Sequence, residues 1–256
     1  MSMAIETVRR IEPAARLRPW ISEIRVGVSS PGQIYRRTRL PGGEAVLLFR
    51  ATGGTGDLTV SGPLRRARYK IGRTIPFFVR ISIRPGRARQ VLGYPLCELV
   101  DQIFPLEDIL NSFGRTLCSR LMGDGPDRAA ALIEDALSKV IGSKDPNAAP
   151  TVSQIVQAMD KNTRATVDDY ANLAGLSPRQ LRRLFQLELG IGPKRYLRIA
   201  RLRRLLSTAH SHVPWANLAV DAGFYDQAHL IADFKELLNA TPDTFQAART
   251  EYKSCH

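Results

Sequence analysis

Arg179, Arg182 and Arg183, with Gln180 and Gln186, place a dense set of hydrogen-bond donors in the nine-residue run RQLRRLFQL. Leu181, Leu184 and Phe185 recur in the same run at three- and four-residue spacing. That pattern predicts an amphipathic helix with its apolar side chains inward and its guanidinium groups outward. A guanidinium fork matches paired acceptors such as a carboxylate, a phosphate or the O6 and N7 edge of guanine. From Arg179 to Arg204 nine lysines and arginines stand against one acid, Glu188, whereas residues 151–256 as a whole hold 14 basic and 10 acidic residues. Positive charge in this half is therefore focused on one helix and its successor, as a phosphate-binding face requires.

Other reactive groups are scattered. Cys97, Cys118 and Cys255 are odd in number, widely spaced and without a CxxC, which points to neither a disulfide framework nor a cysteine zinc site. The four histidines, His210, His212, His229 and His256, all lie after residue 209, so the first 209 residues supply no histidine base. No Ser-His-acid or Cys-His set is legible, and the chain reads as a non-enzyme without cofactor or metal. His210-x-His212 is read as a loop or helix-end charge rather than a metal pair. Gly53-Gly54-x-Gly56 lacks the Lys-Ser/Thr ending of a phosphate loop and reads as a hairpin turn.

The arginine run sits inside a repeat. Ala171, Gly175, Leu181, Phe185, Gly190, Pro193 and Tyr196 reappear as Ala219, Gly223, Leu230, Phe234, Asn239, Pro242 and Phe245. The offset is 48 residues for the first two pairs and 49 thereafter, so the second copy has gained one residue just after its glycine. A small residue where two helices cross and a glycine in the turn between them are the demands of a helix-turn-helix. Both copies meet them. In the first, Ser177-Pro178 supplies an N-cap and a proline at the first helical position.

The elements that must carry this unit follow from the rest of the 256 residues. Length and a 44% hydrophobic composition allow two cores. The net charge of +13 favours a polyanionic partner without choosing one. No apolar run reaches the roughly 18 residues of a membrane span, and the N-terminus has no hydrophobic signal core, so a soluble, cytoplasmic protein with no membrane partner is expected. Residues 1–100 hold short apolar runs, Glu44–Phe49, Asp57–Val60 and Phe77–Ile83, between Gly and Pro turns, which predicts a β-rich sandwich or barrel. From about Leu96 the period changes, with Leu99, Ile103, Leu106, Ile109, Leu110 and Phe113 at helical spacing, and Asp127–Ile141 is a clearer helix. The expectation is an α+β chain: a β-rich domain with trailing helices over 1–141, a linker at 142–150, and an all-α domain over 151–256.

Over Thr151–Arg249, SPRQLRRLFQLELGIGPKRYLRIARLRRLLS followed by LAVDAGFYDQAHLIADFKELLNATPDTF resembles the AraC/XylS-type transcription regulators. The resemblance implies seven helices, with a long one at Pro193–Leu206 joining two helix-turn-helix units that read successive major-groove segments of double-stranded DNA. It places base contacts on Arg179, Arg182 and Arg183, with Gln180 beside them. In the second unit they fall on Ala228, His229 and Ala232, where a usual arginine is missing. Gln227 and Lys235 join the DNA-binding set, His229 is the main base-contact candidate of the second unit, and Arg198 and Arg201 are assigned to phosphates. Residues 5–110 resemble, less specifically, a cupin-like N-terminal domain, through Pro13–Ile24, Gly62-Pro63 and Ile81–Asp101. That likeness implies effector binding or homodimerisation. Activation through RNA polymerase is what the family implies. An accessory partner-binding protein with degenerate DNA binding is the alternative, favoured by Ala228 and Ala232 and opposed by the intact arginine face.

Overall fold

A computed structural model describes residues 7–52, 54–142, 144–145, 151–208 and 215–247, so His210, His212, Cys255, His256 and most of the 142–150 linker lie outside the described residues. In chain order the elements are β1 (Thr7–Ile11), β2 (Ile21–Val28), β3 (Ile34–Arg39), β4 (Ala45–Thr52), β5 (Thr55–Ser61), β6 (Arg68–Arg73) and β7 (Phe77–Ile83). Then come α1 (Ala88–Leu92), α2 (Leu96–Leu99), β8 (Ile103–Pro105), α3 (Glu107–Ile141), α4 (Thr151–Lys161), α5 (Val167–Leu173), α6 (Pro178–Leu189), α7 (Pro193–Thr208), α8 (Trp215–Ala222) and α9 (Gln227–Leu238).

The strands fall into two sheets. Six form an antiparallel sheet in the order β1-β2-β7-β4-β5-β8, while β3 and β6 pair by themselves as a two-stranded ribbon. The near-continuous apolar run of β7 puts it at the sheet centre, between β2 and β4, where it is buried along almost its whole length. Thr52 faces Thr55 at the end of the β4–β5 ladder, and Gly53 of the glycine-rich stretch expected to form a hairpin turn lies outside the described residues. Helix α3 lies on the sheet, bringing Leu117, Leu121, Ile133 and Leu137 against Trp20, Leu47, Phe49 and Ile81 in one core. Its axis breaks at Asn111 and again at Gly125 before Pro126, because proline cannot continue the preceding turn. Asp127–Ile141 is the last straight segment, as its period implies. One helical expectation is corrected: Ile103 lies in β8, paired with Ser61 of β5. Its apolar spacing fits either period over so short a run.

Helices α4–α9 make up the C-terminal half, and residues 242–247 are also helical. Two apolar clusters sit in it. One gathers Ile155, Met159, Tyr170, Leu181 and Phe185 and the other Leu218, Ala219, Leu230, Phe234 and Phe245. Helix α7 belongs to both: Tyr196, Leu197 and Ala200 enter the first cluster, Ile199, Leu202, Leu205 and Leu206 the second. The two halves of the chain interlock. Leu40 and Ala67, which flank the ribbon, pack on the second helical cluster, and the Ala67 amide donates to the Leu237 carbonyl at 2.7 Å. Arg203 of α7 meets Glu44 at 3.5 Å, and Arg89 of α1 meets Glu188 of α6 at 2.7 Å. Among the described residues, no helix is long and apolar enough to cross a membrane.

Candidate nucleic-acid interface

The repeat in sequence is a repeat in hydrogen bonding. In the first unit the Gly175 amide donates to the Asn172 carbonyl at 3.0 Å and the Leu176 amide to Ala171 at 2.9 Å. In the second, Gly223 donates to Val220 at 3.1 Å and Phe224 to Ala219 at 2.9 Å. Ala171 and Ala219 are buried where the helices cross, and Gly175 and Gly223 have φ of 65° and 89°, the left-handed conformation that favours glycine. Each recognition helix then starts from a side-chain cap. Ser177 Oγ accepts from the Gln180 amide, and Gln180 Oε1 accepts from the Ser177 amide at 2.8 Å, closing a capping box. Asp226 Oδ1 accepts from the His229 amide at 2.7 Å. Because Leu176 matches Phe224 and Ser177 matches Asp226, the inserted residue of the second copy is Tyr225. It stands 92% exposed at the start of α9.

Both recognition helices are fixed by α7. Arg198 donates to Asp233 from Nε at 2.8 Å and from Nη2 at 2.6 Å, and Nη2 also reaches Glu236. Burial alone would lower the Arg198 guanidinium, but hydrogen bonds to Glu236 and Asp233 outweigh it and hold it above its ordinary range. The same hydrogen bond from Arg198 holds the Glu236 carboxyl below the usual carboxylate range. Tyr196 donates to both oxygens of Asp160 at 3.1 Å, and burial raises that carboxyl despite the nearby Arg203. Thr163, buried between the units, donates to the Ala222 carbonyl at 2.8 Å, while its own carbonyl accepts from Arg201 Nε at 2.9 Å.

This bracing sorts the nine cations of the basic run. Arg179, Arg182 and Arg183 are exposed on α6 and, like Lys194, make no ion pair or hydrogen bond among the described residues. Arg198 and Arg201, assigned to phosphates from their sequence positions, turn part of their guanidinium groups inward, Nε and Nη2 of Arg198 to Asp233 and Glu236 and Nε of Arg201 to the Thr163 carbonyl. Arg195 and Arg203 pair with Glu236 and Glu44, and Arg204 donates to the Lys161 carbonyl. Gln180 is exposed, but its side-chain carbonyl belongs to the cap. On α9, Gln227 and Lys235 are exposed, whereas His229 is half-buried with its ring edge against Phe224 at 5.5 Å and Nε2 3.9 Å from Asp233. The 49-residue offset sets Arg179, Arg182 and Arg183 against Ala228, Ile231 and Ala232. The first unit thus presents a fork of cations where the second presents methyl groups and an aliphatic side chain.

Two features escape sequence reasoning. Tyr225 carries no periodic signal, and the only hint of it is the extra residue in the repeat. The inward commitment of Arg198 has a fainter clue in Asp233, an acid at an otherwise apolar helix position.

Residues 170–248 match the family model described as a helix-turn-helix domain. The HTH-type transcriptional regulator GlxA of Rhizobium meliloti (strain 1021) is 26% identical over 175 residues, which are 64% of this chain and 53% of that protein. The chain therefore spans about half the length of that curated relative. Among solved structures, the C-terminal domain of AraT, a response regulator from Geobacillus stearothermophilus, is similar at 23% identity and a TM-score of 0.38, covering 40% of this chain and 88% of that one. ToxT from Vibrio cholerae is similar at 11% identity and a TM-score of 0.43, covering 94% and 96%.

Proposed function

We propose that this chain, whose C-terminal segment is a helix-turn-helix domain of the AraC/XylS type, is a sequence-specific DNA-binding transcription regulator and acts as an activator. The observation that carries the reading is the pair of capped recognition helices held by one connecting helix, with Arg179, Arg182 and Arg183 exposed on the first and unpaired among the described residues. Readout is uneven. The three arginines of α6 take base edges, each bidentate contact contributing about 1–3 kcal/mol of discrimination. Gln180 assists through its amide nitrogen. In the second unit Gln227 and Lys235 dock the backbone, and His229 and Tyr225 lie at the groove edge. Arg198 and Arg201 act by holding α7 against its neighbours, not by touching phosphate. The N-terminal domain, bounded at the 142–150 linker, serves effector binding or homodimerisation, and the protein contacts RNA polymerase.

The test is selection of bound sites from random duplex DNA by the full-length protein and by its Arg182→Ala/Arg183→Ala variant. An enriched asymmetric motif that the variant loses is the expected result. Equal enrichment by both proteins would remove α6 as the reading element, and no enrichment at low salt would remove the function.

A further inference from the structure

The β3–β6 ribbon carries a charge arrangement that folding alone does not favour. Its two strands, IYRRTR and RYKIGR, are strongly basic and hold no acid. The register sets Arg37 opposite Lys70 and Arg39 opposite Arg68. Like charges directly opposite in an antiparallel pair are destabilising. Arg39 and Arg68 are relieved by donating to Ser61, the Gly62 carbonyl and the Asp101 carbonyl. Arg36 and Lys70 form no ion pair or hydrogen bond among the described residues, while the Arg37 guanidinium lies over the Phe78 ring, 6.0 Å from its centre. On the outer face, Ile34 and Ile71 are 72% and 68% exposed beside Arg36 and Arg73. That face is amphipathic and positive, and among the described residues the end of α9 meets it only at Tyr69.

The ribbon is also anchored to the DNA-reading half. Leu40 follows β3 and Ala67 precedes β6, and both pack in the core of the second helix-turn-helix unit. The Ala67 amide and the Tyr69 hydroxyl donate to the Leu237 and Leu238 carbonyls at the end of α9. The base of the ribbon is thereby fixed to the end of a recognition helix.

We infer that the β3–β6 ribbon is a second DNA-contacting element, which grips the phosphate backbone flanking the sequence read by the helix-turn-helix units. The inference rests on the DNA-binding reading above. A two-stranded ribbon is narrow enough to follow a groove, and its exposed Arg36 and Arg73 carry donors for phosphate oxygens. Its apolar side chains would lie against deoxyribose. Arg36 and Arg73 share the outer face with Ile34 and Ile71, so a polyanion there would neutralise them, whereas an apolar partner would leave Arg36 desolvated and unpaired.

The experiment uses the full-length protein and the site it selects, in a duplex with long flanks and in one trimmed to the selected core. The Arg36→Gln/Arg73→Gln variant should lose affinity for the flanked duplex alone. The slope of log K against log salt should become shallower by about 0.9 for each phosphate that the variant no longer neutralises. The flank protected from nuclease should shorten, and binding to the trimmed duplex should not change. Arg36→Lys/Arg73→Lys should keep the wild-type slope. Arg36→Gln alone, at an exposed residue without an ion-pair partner, should make it shallower by about 0.9 without touching the fold. Unchanged slope and footprint in the glutamine variants would overturn the inference. So would equal losses on both duplexes. If Ile34→Ser/Ile71→Ser instead converts a dimer to a monomer in sedimentation without DNA, the ribbon is an interface between copies and the inference fails. A wild-type protein that selects no site removes the DNA-binding reading itself, and the readouts of the ribbon variants are not then needed to see it.

Discussion

Arg198 Nη2 lies 2.6 Å from Oδ1 of Asp233, joining the connecting helix α7 to the second recognition helix across a carboxylate only 1% exposed. Asp233 gives one oxygen to Arg198, while its Oδ2 has no hydrogen-bond partner among the described residues. Removing the arginine therefore strands a buried negative charge. Arg198→Ala should cost about 3–5 kcal/mol, the range for breaking a buried pair from one side. Arg198→Met/Asp233→Leu, which removes both charges, should recover most of that loss. Chemical denaturation of the two variants checks this, and a single variant within about 1 kcal/mol of wild type would show that the pair is solvated in practice.

On the first recognition helix the same type of side chain should behave in the opposite way. Arg182→Ala and Arg183→Ala remove exposed groups with no partner among the described residues, so stability should stay within about 0.5 kcal/mol of wild type. Affinity for the selected site should fall while affinity for unrelated duplex falls much less. Titration of both duplexes at one salt concentration measures the ratio.

Asp160 sets a pH dependence. Its carboxyl is raised above its ordinary value by burial, so the folded state binds the proton more tightly than the unfolded chain and the ionised form costs stability at neutral pH. That cost is present above the folded pKa, declines as pH falls through it, and is gone below the ordinary carboxylate value. Asp160→Asn keeps an acceptor for the Tyr196 hydroxyl and should be more stable than wild type at pH 7, with the advantage shrinking as pH falls to about 3.5. Urea denaturation at about pH 7, 5 and 3.5 reads the trend, and an advantage that grows on acidification would be the contrary result.

Two glycines of equal backbone geometry separate local strain from docking of the two halves. Gly175 and Gly190 have φ of 65° and 67°, and a Cβ on Gly175 meets nothing within 4 Å. On Gly190 it would sit 2.7 Å from the Leu96 carbonyl oxygen and 2.4 Å from a Val100 methyl, both in the N-terminal half. Gly175→Ala should cost about 1 kcal/mol of left-handed strain. Gly190→Ala should cost about 1–3 kcal/mol more, because the halves must move apart. Equal costs in full-chain denaturation would mean that the halves do not rest on each other at α2 and α6.

Local signals in the sequence determined a good deal. Ser177-Pro178, Gly175 and Gly223, and the leucines and phenylalanines spaced three or four apart act within a few residues of themselves, so caps, turns and the inward face of α6 are legible without tertiary context. The repeat made the second unit legible through the first. The apolar runs Glu44–Phe49 and Phe77–Ile83 marked β4 and β7 for the same reason, whereas β3 and β6 were not legible, because an exposed ribbon needs no apolar alternation. Tertiary structure alone decided which cations are free. Arg179, Arg198 and Arg201 are one residue type in one basic run, and the partners that claim two of them, Asp233, Glu236 and the Thr163 carbonyl, lie more than thirty residues away in the chain. An ion pair's energy falls with distance in space, not in sequence. Composition could therefore locate the positive charge, and only the folded chain could say how much of it remains available to a partner.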